Sequence, residues 1–300
     1  YAYYYLGEYE KSYDYLTIVK NLGRDDLTLK LMFGNTLSKM GKYEESLEYY
    51  LELLENDKYK NDAILNCQIG WNYGELEKPK EALKYLFKAE KLGKDDRMIN
   101  IDIGINLAKT GEIQEGINRL KRALIMEEGI TSNDKIFLNS EIAYWYGELR
   151  DVENALKHLY IAKDLGRDDA WINSELAYCL GELNKFEESL EHYLRAKELG
   201  REDDWIYSQI GWTYRRLGKY EDALEADFKA QELGQNDAWV NIEIGICYKE
   251  LEKFEEALKY YLVANELNEG KNLWILSEIA WVYGAMENYD EELKYLEATK

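Results

Sequence analysis

The chain has 300 residues, with 38 lysine plus arginine against 59 aspartate plus glutamate, a formal charge of −21. That acidic excess argues against nucleic acid as the main partner, because cationic side chains supply most of the affinity for phosphate backbones. It favours solubility and basic partners. No apolar run approaches the ~18 residues of a membrane span, and Cys67, Cys179 and Cys247 match neither a metal-ligand spacing nor a disulfide framework, which fits a reducing, cytoplasmic setting.

In chain order, an apolar residue opens the second half of a recurring unit at Tyr9, Tyr43, Pro79, Ile113, Val152, Phe186, Tyr220, Phe254 and Tyr289. The intervals are 34, 36, 34, 39, 34, 34, 34 and 35 residues. A period of this length marks a stacked repeat protein in which each unit buries itself against its neighbours. Nine units are expected, the first and last truncated. Two polar insertions, around Glu55–Asn61 and Glu127–Asp134, explain the long intervals and are expected between helices.

Each unit reads as two helices. Val240, Ile244, Cys247 and Leu251 recur at helical spacing, then Glu252-Lys253 forms a turn, and Phe254–Leu267 gives a second amphipathic helix carrying Ala257, Leu258, Tyr261 and Ala264 inward. Leucine-glycine pairs stop the second helices at Leu22-Gly23, Leu92-Gly93, Leu165-Gly166, Leu199-Gly200 and Leu233-Gly234. Asp169, Asp204 and Asp237 follow as candidate caps of the next helix. Pro79, the sole proline, falls in a first helical turn, where its missing N–H costs nothing. No segment reads as a strand. Gly34, Gly70, Gly104, Gly211 and Gly245 recur inside first helices, where glycine costs up to about 1 kcal/mol relative to alanine, so close helix packing is expected there.

With these residues in view, the chain resembles the tetratricopeptide repeat family over nearly its whole length. Ile244-Gly245, Tyr248, Phe254, Ala257, Tyr261 and Ala264 carry the pattern in full. The chain departs from the family where a leucine-glycine stop replaces the usual closing proline. It departs again where an asparagine takes the place of a first-helix aromatic, with tryptophan two residues earlier. The resemblance implies an all-α, right-handed α-solenoid of antiparallel helix pairs with a period of 34 residues, its first helices lining a concave groove. We read residues 1–300 as a single such solenoid. Because the sequence starts within a first helix and stops within a second, it is expected to be part of a longer protein.

Function should then lie on the first helices. Trp205, Gln209 and Trp212 are spaced i, i+4, i+7 and share one side of a helix. Trp171, Glu175, Tyr178 and Trp274, Glu278, Trp281 repeat the arrangement; Trp239 with Glu243, Glu141 with Tyr144, and Trp71 give partial versions. Tryptophan is a favoured interface anchor, and carboxylates between rings suit a cation. The competing reading is that these rings pack the stack, and it weighs more for the first-turn column, Trp171, Trp205, Trp239 and Trp274. A second ladder, Asn66, Asn100, Asn139, Asn173 and Asn241, points away from the Trp/Glu side and reads as satisfying buried polar groups between repeats.

The family's chaperone-binding members clamp a carboxylate with basic groove residues. Here the corresponding ladder is Gln68, Asp102, Glu141, Glu175, Gln209, Glu243 and Glu278, with Arg215 and Arg216 as a local exception, so an acidic tail should be repelled. His158 and His192 read as solvated surface. No catalytic, phosphate-binding, cofactor or metal motif is visible, and no enzyme is expected. The reading is a scaffold whose groove takes a basic or apolar protein or peptide segment. The alternatives are an architectural segment of a larger sensor, regulator or enzyme, or a peptide-pheromone receptor, which would need an effector domain. Self-association through exposed solenoid ends is open to such a protein.

Overall fold

A computed structural model describes residues 2–126 and 129–299. Among them all regular structure is helical, in two compact units, Tyr1–Asp151 and Val152–Lys300. The first unit holds α1 (Ala2–Tyr5), α2 (Tyr9–Asn21), α3 (Leu27–Lys39), α4 (Tyr43–Leu54), α5 (Ala63–Glu75), α6 (Pro79–Lys91), α7 (Arg97–Lys109), α8 (Ile113–Ile125) and α9 (Ser132–Glu148). The second holds α10 (Val152–Asp164), α11 (Ala170–Glu182), α12 (Phe186–Glu198), α13 (Asp204–Arg216), α14 (Tyr220–Glu232), α15 (Ala238–Glu250), α16 (Phe254–Leu267), α17 (Leu273–Ala285) and α18 (Tyr289–Ala298). Every landmark from Tyr9 to Tyr289 begins a helix. Within each unit, helices adjacent in sequence pack on one another, most extensively in the pairs α3–α4, α5–α6, α7–α8, α11–α12, α13–α14, α15–α16 and α17–α18.

Close approach explains the first-helix glycines. A Cβ on Gly34 would stand 2.4 Å from the Tyr50 ring, and one on Gly245 would stand 2.8 Å from the Tyr261 ring. The second-helix residue facing each glycine is thereby pressed onto bare backbone, and Tyr50, Leu86, Leu120 and Tyr261 are fully buried there. The leucine-glycine stops behave as expected: Gly200 (φ 96°) and Gly234 (φ 117°) take the left-handed conformation that an L side chain resists.

Three expectations need correction. The cap of α13 is Asp203, whose Oδ1 accepts from the Ile206 N–H at 2.8 Å; Asp204 is the first residue of the helix. Two consecutive aspartates left the register open, and the bond to the third helical N–H decides it. The insertion around Glu55–Asn61 lies between helices but is not wholly polar in role, because Tyr59 buries itself beside Leu53 and Leu65. In the second insertion Glu127 and Glu128 lie outside the described residues. Ser132, Asn133 and Asp134 already belong to α9, which opens with a reciprocal box between Thr131 and Asp134.

Candidate functional site

The loop that leads into a first helix builds the start of the Trp column. In the stretches Arg167–Trp171 and Arg201–Trp205, arginine stacks on the tryptophan at 4.3 Å from the ring centre. The same guanidinium donates to the capping aspartate, Arg167 to Asp169 at 2.8 Å and Arg201 to Asp203 at 3.0 Å. One arginine therefore ties the cap to the ring, a link the sequence shows only as a recurring Leu-Gly-Arg. Trp205 also meets the Tyr193 ring edge-on at 6.1 Å, and Trp274 meets Tyr261 at 6.3 Å. Trp239 is half-buried against the α14–α15 core.

The second column packs on the landmark aromatic of the preceding second helix. Trp71 lies edge-on to Tyr43, Trp212 to Phe186 and Trp281 to Phe254, with centroids 5.5, 5.7 and 5.9 Å apart. A cation covers each: Lys39 over Trp71, Arg216 over Trp212 and Lys249 over Trp281. Packing does not hide the rings equally. Trp281 is 52% exposed and Trp274 45%, with Tyr144 at 44% and Tyr178 at 43%, whereas Trp71, Trp171, Trp205 and Trp212 are half-buried.

The acidic ladder is less free than its composition suggests. Glu243 is buried and paired with Arg215, one contact of which is 3.3 Å. Glu278 accepts from Lys249 at 2.6 Å, and the Tyr261 hydroxyl reaches it at 3.5 Å. Gln209 accepts from the Tyr193 hydroxyl at 3.4 Å, and Gln68 donates to Asn35 at 3.1 Å. Glu141 and Glu175 are half-buried on α9 and α11. Burial pushes the Glu243 carboxyl upward, with Arg215 opposing.

The cations Arg215 and Lys249 each sit four residues after a first-helix glycine and span to the acid of the next first helix. In the first unit that position holds Ser38, Gly74 and Ala108, which are too short to span. A cavity of about 240 Å³ opens there beside Ser38 and Trp71, reaching Met98 and Asp102. Asp102 has no hydrogen-bonding partner lowering its pKa; burial, then Glu75 and Asp96, push it up to about 7.

The asparagine ladder is buried on another side. Asn100, Asn173 and Asn241 donate to the backbone carbonyls of the capping residues Asp96, Asp169 and Asp237, at 2.9, 2.9 and 2.7 Å. The same amides reach Asp95, Asp168 and Asn236, so the ladder fastens the loop entering each first helix. The histidines are not solvated surface. His158 is buried, and His192 is half-buried with Nδ1 2.9 Å from Asn173 Oδ1, because α12 turns His192 onto that asparagine. Burial, then Lys163, lowers the His192 pKa. Among the described residues no group of three metal-ligating side chains forms, and no helix is long and apolar enough to cross a membrane.

The family description "Tetratricopeptide repeat" matches residues 27–59 and 231–271. No curated protein matches the chain. Among solved structures, the C-terminal part of a TPR repeat-containing protein from Cytophaga hutchinsonii is similar at 16% identity and TM-score 0.64, covering 83% of this chain and 99% of that one. The APC/C hetero-tetramer Cut9-Hcn1 aligns at 17% identity and TM-score 0.55, covering 91% of this chain and 52% of that one. YrrB, described as a TPR protein with an unusual peptide-binding site, aligns at 18% identity and TM-score 0.50, over 60% of this chain and 90% of its own. With the helix pairs, the glycine contacts and the repeat matches together, the chain carries tetratricopeptide repeats at the matched residues and shares the fold of solved tetratricopeptide repeat proteins.

Proposed function

We propose that this protein is a non-catalytic scaffold that holds a basic or apolar segment of a partner protein on the face formed by its first helices. The observation that carries this reading is the exposure of large rings on first helices of the second unit: Tyr178 on α11 and Trp281 on α17 at one register, with Trp274 seven residues before Trp281 on the same side of α17. A single exposed ring is ordinary, but several on one side of the first helices form a surface that association would cover. The charge of −21 favours a cationic segment. The ion pairs narrow the reading: Glu243 and Glu278 are neutralised within the protein, so contact in the second unit falls to the rings. The printed description of YrrB as peptide-binding is consistent with this use of the fold.

Three thiols without a disulfide suit a cytoplasmic protein. An array of synthetic peptides graded in lysine and aromatic content tests the proposal. Selection of lysine-bearing peptides, weakened by salt and by Tyr178→Ser or Trp281→Ser, supports it. Retention of every peptide equally, or none, sinks it and favours a purely architectural segment.

A further inference from the structure

The first-helix face of the first unit holds a cavity of about 240 Å³ lined by Ser38, which stands at the register of Arg215 and Lys249, and by Gln68 and Asp102. Its walls include the rings of Tyr4, Tyr50 and Trp71 and the side chain of Met98, which is itself 58% exposed. Asp102 and Lys39 both line the cavity. The Lys39 ammonium rests over the Trp71 ring, 5.8 Å from its centre. The Tyr50 hydroxyl is fixed by donating to Asn35 at 2.7 Å.

This combination selects a ligand group. Aromatic and thioether walls accept an apolar stem, and ring faces attract a cation. Among the described residues no cation pairs with Asp102, unlike Glu243 and Glu278 at the same register in the second unit. The charged groups around it add negative charge: Glu75 on α5, and Asp96 at the start of α7, which is itself paired with Lys94. Beyond α7, Arg119 of α8 is taken up by Glu90 of α6. Lys39 remains engaged with Trp71 on α5.

We propose that this cavity is the anchor site for a lysine side chain of the bound segment, its stem between Trp71 and Met98 and its ammonium on the Asp102 carboxylate. The proposal rests on the reading of the first-helix face as the binding face and adds where the cation goes. It makes binding depend on pH in one direction. The Asp102 pKa is raised to about 7, chiefly by burial, while the ligand ammonium keeps its proton, so the competent ionised form grows as pH rises. Affinity should increase about tenfold between about pH 6 and about pH 8.

The test is an NMR titration of the whole chain, followed through the tryptophan indole N–H signals. The probe is the peptide acetyl-Ala-Ala-Lys-Ala-Ala-amide, and its norleucine counterpart supplies the stem without the charge. The expected result is a shift at Trp71 with the lysine peptide alone, strengthening about tenfold over that pH range, and loss of both shift and pH dependence in Asp102→Asn. That variant removes an unpaired, half-buried charge and should keep the fold. Shifts confined to Trp274 and Trp281 would overturn the anchor while leaving the first-helix face as the binding face. A shift at Trp71 that is the same in Asp102→Asn, or for norleucine, would overturn the role of the carboxylate. Silence at every indole would also remove the anchor, and the peptide array would then judge the broader reading independently.

Discussion

Asp227 lies against Gly211 in the place where Tyr50 meets Gly34, Leu86 meets Gly70 and Tyr261 meets Gly245. A core position that elsewhere holds a large side chain holds a carboxyl here. It is fully buried, and neither oxygen has a hydrogen-bond partner. Burial raises its pKa well above the ordinary 3.8; Glu243 pushes the same way, and Arg215 opposes.

Asp227→Leu should therefore stabilise the protein, by about 1–3 kcal/mol near neutral pH, the usual cost of a buried polar group left without a hydrogen-bond partner. The sign with pH follows from the raised folded value. The contribution of the neutral acid is fully present below about pH 4 and is lost as pH rises through the folded pKa. Thermal unfolding at acidic and neutral pH should show the gain growing with pH. An unchanged or lower unfolding temperature for the leucine variant at neutral pH would refute the assignment of Asp227 as a core liability.

Removing Arg215 leaves Glu243, whose side chain is 6% exposed, without its cation. Arg215→Ala should cost about 3–5 kcal/mol, the penalty of stranding one member of a buried pair. Lys249→Ala should cost less, because both groups of the Lys249–Glu278 pair keep 18% of their side-chain surface. Denaturant unfolding of the two variants checks the order, and Glu243→Gln in the Arg215→Ala background should recover part of the loss. Equal effects would mean that burial does not govern these pairs.

Between α7 and α8 glycines face each other. A Cβ on Gly116 would meet the Gly104 carbonyl oxygen at 2.6 Å and the Ala108 Cβ at 2.9 Å. Backbone cannot step aside as a side-chain tip can, so Gly116→Ala should destabilise by about 1–3 kcal/mol despite alanine's better helix propensity. A more stable alanine variant, read by the same unfolding experiment, would contradict the contact.

The period, the helix starts and the reason for the first-helix glycines were all legible in the sequence, because a fixed repeat lets each column be compared with itself. Asp227 was equally visible as the break in the column of Tyr50, Leu86, Leu120, Tyr193 and Tyr261, although only the burial reveals its cost. The site was less legible. A list of acids on one helix side does not say which are already paired, and Arg215 and Lys249 reach Glu243 and Glu278 across 28 and 29 residues. The histidines misled for a related reason. Charged neighbours in sequence suggested solvent, while the helix turns His158 and His192 toward buried surface.

Hydroxyl-radical footprinting of the whole chain, with and without a lysine-bearing peptide chosen from the array, tests the central claim most directly. The first-helix account predicts protection of Tyr178, Trp274 and Trp281, and none at Ile161 and Leu194, which are exposed on second helices. Protection of Ile161 and Leu194 with the three rings unchanged would contradict it.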